Sequence, residues 1–389
     1  MYLMNVYTLA QKHHPWAVSL RRHFHQYPEV SGEEYQTQAK LLAELKALQI
    51  NCRPAGTTGV IAEIHGKNSG KTIAIRADID ALPIQDECNT PYQSKNKNAC
   101  HACGHDGHIA VVFGTLQIIH ELRDKLQGTF RFIFQPREEQ FPSGAVSMIE
   151  DGALDNVDAI IGAHIWQPIS LGTIGITYGN LMASPDKFKI TVHGKGGHGS
   201  MPQQTVDPIL IASQIVLGLN TIVSRSIDPL ELAVVSVGSI QAGNAFNIIP
   251  ETATLEGTVR SFDENVRQQI FARIEAIVSG ICAANDATAE TETLLGHPAI
   301  INVPSYSKAI AKAVEKCHTP IKVEEVPPVM CGEDFSYYLK HVPGAFFFIG
   351  TGTDKMIYPH HHPKFDIDER AILYGMEVMA RTAIDLAIG

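Results

Sequence analysis

The apolar residues of this chain recur at spacings that alternate between those of helices and those of buried strands. The first 50 residues predict two helices, and the second, over 33–48, places Leu41, Leu45 and Leu48 on one face. Short apolar runs bounded by turn residues predict strands at 58–65, 71–76, 129–135 and 159–164, with a helix at 109–120. This alternation predicts an α/β domain whose sheet is mixed, mostly parallel and flanked by helices.

From residue 186 the pattern changes to the order β-α-β-β-α-β, which is typical of a ferredoxin-like α+β domain. The predicted elements lie at 187–193, 207–224, 230–240, 252–260, 264–284 and 287–295. The chain then returns to predicted helices at 305–316 and 370–388, with a strand at 345–349. We therefore expect a discontinuous domain of residues 1–185 and 296–389, into which residues 186–295 are inserted as a second domain.

Composition indicates a globular chain and argues against several classes of function. With 389 residues, 44% of them hydrophobic, the chain is long enough for about two domains. Its net charge of -10 argues against a nucleic-acid-binding protein, which needs clustered Lys and Arg. No apolar run reaches the roughly 18 residues of a membrane span, and residues 1–16 lack the apolar segment of a signal peptide. We expect a cytoplasmic protein without a membrane partner and, from seven scattered cysteines, no disulfide framework.

Three predicted strands of the first half end near acidic or imidazole side chains. Asp78 and Asp80 follow one strand, Glu138 and Glu139 follow the next, and His164 ends a third. Ligands usually bind at the carboxyl ends of strands in an α/β sheet. The recurrence therefore predicts one site at one edge of the sheet.

The segment 99–108 concentrates further metal-ligand types, with cysteines and histidines separated by glycines. One thiolate, one carboxylate and three imidazoles are available at Cys103, His105, Glu139, His164 and His361. Five such ligands exceed what one catalytic ion takes, and they fit two ions of Zn, Mn, Co or Ni. Any one of them alone would more often be structural, and the spacing does not separate His361 from His360. Cys100 and Cys103 form a single C-x-x-C, which does not predict a structural zinc ribbon.

The adjacent residues Glu138 and Glu139 suit two different roles. Neighbouring side chains leaving a strand point in different directions, so Glu139 could bind metal while Glu138 acts as general base. Asp78, Asp80 and Asp106 are candidates for outer partners that orient the ligand histidines. The alternative is a solvated acidic loop without a catalytic role.

Together these motifs resemble the M20 family of metallopeptidases and amidohydrolases, in the branch that acts on N-acyl amino acids, hippurate and auxin conjugates. The matching segments follow the family's order at 23–33, 76–83, 102–108, 134–139, 162–164, 194–202, 247–250, 332–335 and 361–365. The resemblance implies two divalent metal ions, with Cys103, His105, Glu139, His164 and His361 as ligands. It also implies that Glu138 is the catalytic base.

The same resemblance implies further roles for the inserted domain, which would be a lid and the interface of a homodimer. His198 would reach toward the substrate across that interface, and Asn247 and Arg260 would lie near the substrate carboxylate. One departure from the family's pattern is the segment 140–144, where many members have a run of glycines. The segment changes neither the ligands nor the base, so we expect an active enzyme.

By this resemblance, the expected reaction is hydrolysis of the amide bond of a small N-acyl amino acid, with an acetyl, benzoyl or similar acyl group. A dipeptidase or aminopeptidase of the same family, using the same residues, is the alternative. A non-catalytic metal-binding homologue is a third possibility. An intact Glu138 beside a full ligand set argues against it.

Overall fold

The computed structural model describes residues 2–388, and the side chains of residues 6–388, as α-helices and β-strands in two compact units. The helices are α1 Tyr2–Gln26, α2 Tyr35–Ala47, α3 His105–Leu122, α4 Gly144–Glu150, α5 Pro208–Leu219, α6 Glu264–Ala284, α7 Pro304–Glu315, α8 Ser336–Leu339 and α9 Arg370–Ile388. The first eight strands are β1 Asn51–Ala55, β2 Gly59–His65, β3 Asn68–Asp78, β4 Gln127–Gln135, β5 Ala159–Ser170, β6 Thr173–Ile176, β7 Asn180–Met182 and β8 Ser184–His193. The others are β9 Gly197–His198, β10 Ala233–Ala242, β11 Ile248–Ile249, β12 Thr252–Ser261, β13 Thr288–Leu294, β14 Ile300–Ile301, β15 Lys322–Glu325 and β16 Gly344–Gly352.

The larger unit comprises Met1–Leu181, Ile301–Pro327 and Asp334–Gly389. Its sheet has eight strands in the order β1-β2-β4-β3-β5-β16-β6-β15. The central strands β4, β3, β5 and β16 run parallel, whereas β1 pairs with β2, and β2 with β4, antiparallel. The carboxyl ends of the parallel strands therefore meet at one edge, and the predicted α/β fold class is confirmed.

Helix α3 is buried along nearly its whole length, because it packs against the sheet and against α1 and α9. A helix that is apolar on every side is expected in such a position. The helix begins at His105, four residues before the predicted start at residue 109. Its first turn carries polar residues that the apolar pattern did not include, and they are buried as well.

The smaller unit comprises Met182–Ile300 and Pro328–Glu333. Its antiparallel sheet has the order β10-β12-β8-β13, and α5 and α6 pack on it around a core of its own. The element order β8-α5-β10-β12-α6-β13 is the predicted βαββαβ pattern. Residues 328–333, which the sequence pattern placed with the larger domain, group with this unit.

Within residues 2–388, no helix combines the length and the apolar character needed to cross a lipid bilayer.

Candidate functional site

Three residues of two metal-ligand types converge where α3 begins beside β5. The ligand atoms of Cys103, His105 and His164 all lie within 4.8 Å of one another, and all three residues are buried. The Sγ atom of Cys103 is 3.5 Å from Nε2 of His164. Gly104 stands between the first two in the left-handed conformation, with φ at 90°, and this turn starts the helix. The backbone therefore brings Cys103 and His105 close to His164, which lies within β5 and not at its end as the sequence pattern predicted.

Glu139 and His361 extend this cluster on its other side. The ligand atoms of Cys103, Glu139 and His361 also lie within 4.8 Å of one another, as do those of His105, Glu138 and Glu139. The Nε2 atom of His361 is 3.2 Å from Oε1 of Glu139, and that oxygen is 3.9 Å from Nε2 of His105. The five candidate ligands thus form one continuous cluster, and Glu138 lies beside it.

His361, and not its neighbour His360, reaches Glu139. His360 is half-buried, stacks on Trp166 at a centroid distance of 4.7 Å, and accepts the backbone N–H of Gln167 through Nε2. His361 has an exposed side chain and a φ of 65°, and its N–H donates to the carbonyl of Ala102 at 2.8 Å. A non-glycine residue in this conformation costs about 1–3 kcal/mol and is typically found at functional sites. The structure therefore distinguishes two histidines that the sequence did not.

Asp80 holds two of the candidate ligands at once. Its Oδ1 lies 3.2 Å from Nδ1 of His105, and its backbone oxygen lies 2.9 Å from the same nitrogen. Its Oδ2 accepts the backbone N–H of Glu139 at 3.0 Å and the hydroxyl of Ser31 at 2.6 Å. Because Nδ1 of His105 is occupied in this way, Nε2 is directed at the cluster. This is the arrangement of an outer partner that orients a metal-binding histidine.

Asp78 and His108 form a second support. His108 bonds to a carboxylate oxygen of Asp78 through Nδ1, and its Nε2 accepts the backbone N–H of Ile165 at 2.9 Å. Both ring nitrogens of His108 are therefore engaged, and we do not assign it as a ligand. The other oxygen of Asp78 lies 3.6 Å from Nε2 of His105 and accepts from Arg76 at 2.9 Å.

Asp106 faces away from the candidate ligands. Its carboxylate accepts from Nε of Arg21 at 2.7 Å and bonds to Nδ1 of His25 at 2.8 Å, and it also accepts the N–H of Gly107. Asp106 follows His105 on a helix, so its side chain leaves α3 in another direction, toward α1. These bonds connect Asp106 to Arg21 and His25 of α1 and not to the histidines of the five-residue cluster, so its role in orienting those histidines stays a prediction.

The loop that carries Glu138 is fixed by contacts on both sides. Arg137 has a φ of 56°, and its N–H donates to Oε1 of the buried Glu34 at 3.0 Å. Its carbonyl accepts the N–H of Gly144 at 3.0 Å. Asp334 binds the end of this loop, accepting from Ser143 at 2.6 Å and from Arg76 at 2.6 Å. Sequence reasoning did not assign Glu34 or Asp334 to the site, although residue 334 lies in one of the quoted motifs.

The electrostatics of the cluster favour a bound cation. Burial raises the pKa of the Cys103 thiol, and the carboxylates of Glu139 and Glu138 raise it further. Burial lowers the pKa of His105, but Asp78 and Asp80 outweigh burial and raise it to about 10. Burial and the neighbouring imidazoles lower the pKa of His164, so its ring is neutral. The carboxylates of Asp78, Asp80, Glu138 and Glu139 therefore act together on this cluster, and a cation bound there would offset their charge.

Two buried atoms provide a test of whether a metal fits these residues. Nε2 of His105 is buried and has no hydrogen-bond partner among the described residues, and Oε1 of Glu139 is buried with a 3.2 Å contact to Nε2 of His361 that does not count as a hydrogen bond. Buried polar atoms are rarely left in this state. Ligand atoms roughly 2.0–2.3 Å from a tetrahedral ion lie roughly 3.3–3.8 Å apart, close to the 3.5 Å between Cys103 and His164. Thiolate, imidazole and carboxylate donors at this spacing fit divalent transition metals.

The three predicted substrate-binding residues all belong to the smaller unit. His198 lies in β9, which pairs with β11, and its Nδ1 accepts the N–H of Ser200 at 3.1 Å. Asn247 lies close to it, since the N–H of Gly199 donates to the Asn247 carbonyl at 2.9 Å. Both side chains are exposed.

Arg260 lies on β12, and its guanidinium already has several acceptors. Its Nε donates to the carbonyl of Met330 at 3.1 Å, and its Nη1 donates to the carbonyls of Val259 and Asp186 at 3.0 and 3.3 Å. Within the described chain these bonds leave Nη2 as the nitrogen available to a ligand. The guanidinium is thus partly occupied by acceptors of the protein itself.

Comparison with known proteins places these residues in context. The sequence model of the family described as "Peptidase family M20/M25/M40" matches residues 74–385. The chain is 44% identical over 357 residues to an N-acetyl-L-cysteine deacetylase of Bacillus subtilis, covering 92% of this chain and 84% of that protein. It is 40% identical over 376 residues to thermostable carboxypeptidase 1 of Saccharolobus solfataricus, covering 95% of each.

A solved structure is similar over nearly the whole chain. The YXEP protein of Bacillus subtilis, described as a dinuclear metal binding peptidase from the M20 family, aligns with a TM-score of 0.85 and 37% identity. The alignment covers 97% of this chain and 99% of that one. The likeness includes both the larger and the smaller unit.

Proposed function

The chain belongs to peptidase family M20/M25/M40, and from this premise we propose that it is a metal-dependent amidohydrolase that cleaves N-acyl amino acids. One observation carries the proposal: Cys103, His105, Glu139, His164 and His361 form one cluster of metal-ligand atoms, with Glu138 beside it. We assign these five residues as ligands of two divalent ions, of the Zn, Mn, Co or Ni type. Each predicted ligand contributes one atom of the kind that such ions accept.

In the proposed mechanism, Glu138 moves the protons. Two bound ions would polarise the scissile carbonyl and make a water molecule more acidic. Glu138 takes a proton from that water as general base and then delivers it to the leaving nitrogen as general acid. The fixed backbone on either side of Glu138, at Arg137 and Gly144, keeps its carboxylate at the cluster during both transfers.

An N-acyl amino acid is the proposed substrate, and a peptide is the alternative. The relatives divide between a deacetylase of an N-acetyl amino acid and a carboxypeptidase, and both activities hydrolyse an amide bond. We favour the acyl substrate because the chain is 44% identical to the deacetylase and 40% identical to the carboxypeptidase. In both cases the substrate is a small molecule with a free carboxylate, for which Asn247 and Nη2 of Arg260 are the proposed partners.

The decisive experiment compares substrates and one variant. Protein stripped with a chelator and reloaded with each metal is assayed for amine released from N-acetyl-L-cysteine, N-benzoyl-glycine and a dipeptide. We expect release from the acyl substrates, and we expect Glu138→Gln to lose at least 100-fold in kcat while retaining bound metal. Glu150→Gln, at an exposed glutamate in the same region, is the matched control. Activity that is insensitive to the chelator, or intact in Glu138→Gln, would contradict the proposal.

We further propose that the smaller unit is a lid and the interface of a homodimer, in which His198 serves the site of the partner subunit. The two edge strands of its sheet differ in a way that supports this. Strand β13 carries Glu290 and Glu292, which discourage edge-to-edge pairing, whereas β10 has no charged residue. Ile240 on β10 is half exposed, and Leu217 on the neighbouring α5 is 72% exposed.

The dimer proposal is tested at these edges. Ile240→Asp is expected to convert the dimer to a monomer in sedimentation analysis and to reduce turnover together with it. Leu294→Asp, on the opposite edge strand, is the control and is expected to remain dimeric. A wild-type monomer, or an Ile240→Asp dimer, would contradict the proposed interface.

Two further predictions remain proposals. One is the pair of domain boundaries at 185/186 and 295/296, since the main segment of the smaller compact unit is Met182–Ile300. The cytoplasmic location is the other.

A further inference from the structure

A second cluster of metal-ligand types lies on the other side of the segment that carries Cys103. The ligand atoms of His25, Asp86 and Cys100 all lie within 4.8 Å of one another, and all three residues are buried. His25 comes from α1, Asp86 from the chain after β3, and Cys100 from the segment before α3. None of the roles proposed above uses these residues.

The orientation of His25 is that of a metal ligand. Its Nδ1 bonds to the carboxylate of Asp106 at 2.8 Å, which fixes the ring and directs Nε2 at Asp86 and Cys100. Metal-binding histidines commonly have such a carboxylate on the second nitrogen. Nε2 of His25 is fully buried and has no hydrogen-bond partner among the described residues.

The distance between His25 and Asp86 fits two ligands of one ion better than it fits a hydrogen bond between them. Nε2 of His25 lies 3.6 Å from Oδ2 of Asp86. This is too long for a hydrogen bond. It falls within the roughly 3.3–3.8 Å expected for two ligands of one tetrahedral ion. The spacing is nearly the same as the 3.5 Å between Cys103 and His164 in the other cluster.

Cys88 lies beside this group and can supply a fourth ligand. Cys88 is buried, and its Sγ is 3.2 Å from the carbonyl of Phe365. Its backbone N–H donates to Asp86 at 2.7 Å, so the two residues are held together by a tight turn. Two thiols, one imidazole and one carboxylate are a ligand set that Zn²⁺ accepts.

The charges around the cluster leave room for a cation. Nη2 of Arg21 lies 3.4 Å from Nδ1 of His25, but its guanidinium is bound by Asp106 at 2.7 Å and by Asp366 at 2.6 Å, with Glu369 at 3.4 Å. Asp86 accepts only backbone N–H groups besides facing His25. The guanidinium of Arg21 is thus already paired with carboxylates other than that of Asp86.

We propose that His25, Asp86 and Cys100, with Cys88 as fourth ligand, bind a structural zinc-type ion separate from the catalytic pair. All four residues are buried, as the ligands of closed structural sites are. The ion would link α1 and the chain after β3 to the segment 99–108. The link would be at Cys100, three residues before Cys103. It would stabilise the fold of the loop that presents Cys103 and His105. The single C-x-x-C is thus divided, with one cysteine assigned to each site.

Metal counting tests this site independently of the amidohydrolase proposal. Wild type, Cys100→Ala and the control Cys282→Ala, which alters a buried cysteine of the smaller unit, are stripped with chelator under reducing conditions and reloaded with Zn²⁺ alone. After desalting, we expect Cys100→Ala to hold one ion per subunit fewer than wild type, and Cys282→Ala to match wild type. Asp86→Asn is expected to lose the same ion and serves if the cysteine variant does not fold. An equal zinc content in all folded variants overturns the proposal.

Cobalt spectra identify which thiolate binds. With Co²⁺ in place of zinc, Cys103→Ala is expected to keep a near-ultraviolet thiolate-to-cobalt band, which disappears in Cys103→Ala/Cys100→Ala/Cys88→Ala. A band that survives the triple substitution, or that is already absent from Cys103→Ala, overturns the assignment. Because the readouts are ion number and spectrum, loss of catalysis alone leaves the result unchanged.

Discussion

Oδ1 of Asp80 lies 3.2 Å from Nδ1 of His105, while Oδ2 of the same carboxylate accepts the backbone N–H of Glu139 at 3.0 Å. One buried side chain thus sets the ring orientation of one proposed ligand and the backbone of another. Such a link makes metal affinity depend on a residue that need not touch the metal.

Asp80→Ala should therefore weaken metal binding strongly. We expect the affinity for Zn²⁺ in a chelator competition titration to fall about 10- to 100-fold, the usual effect of removing an outer partner. Ser31→Ala removes only the hydroxyl that donates to Asp80 and should have a smaller effect. Wild-type affinity in Asp80→Ala would show that His105 is oriented by other contacts.

The three consecutive histidines at 360–362 should behave differently on substitution. His361→Ala removes the imidazole that faces Glu139. We expect metal affinity to fall by more than roughly 100-fold, which is the upper end of the effect of removing an outer partner. His360→Phe keeps the stack on Trp166 and loses one acceptor, so it should bind metal more tightly than His361→Ala. His362→Ala is the control. Equal losses in all three variants would contradict the assignment of His361.

The smaller unit should depend for stability on one buried ion pair. Asp186 accepts from Nη2 and Nε of Arg267 at 2.5 and 2.8 Å, and it is fully buried. Asp186→Ala removes the buried charge partner of a buried guanidinium, which should reduce the free energy of unfolding by about 3–5 kcal/mol. The measurement is chemical denaturation followed by circular dichroism.

Glu264→Ala supplies the control for that measurement. Glu264 also pairs with Arg267, at 3.1 Å, but its side chain is 48% exposed. Exposed pairs contribute at most about 1 kcal/mol, so this variant should remain close to wild type. A similar loss in both variants would mean that burial of the pair does not set its contribution.

The larger elements were predictable because their apolar residues repeat regularly. The inserted βαββαβ order and the central strands came from such repeats. Strand β1 was missed because it is short, polar and contains Pro54, which an edge strand tolerates. The start of α3 was missed because its first turn carries polar side chains that are buried by tertiary contacts.

The candidate site could be predicted as a set of residue types, but its partners could not be assigned. Spacing gives no reason for His361 to face Glu139 while His360 stacks on Trp166, because both outcomes depend on residues far away in the chain. The same holds for Asp106, which was expected beside the ligands and instead binds Arg21 and His25. The residues that a helical side chain contacts depend on how the neighbouring helix packs, and the sequence spacing does not give that packing.

Gly144 should control the position of the catalytic base. A Cβ at this position would lie 1.7 Å from the backbone oxygen of Pro136, two residues before Glu138. Gly144→Ala must therefore move the backbone of the loop, and we expect kcat for an N-acyl amino acid to fall about 100-fold, since small misplacement of catalytic groups has effects of this size. Metal content should remain unchanged if only the base is displaced.

Gly179→Ala provides the matched control, because a Cβ there has nothing within 4 Å. Its kcat and its thermal stability should match those of wild type. Should Gly144→Ala retain full turnover, the base would tolerate displacement of its loop, and the positioning of Glu138 by the contacts at Arg137 and Gly144 would be wrong.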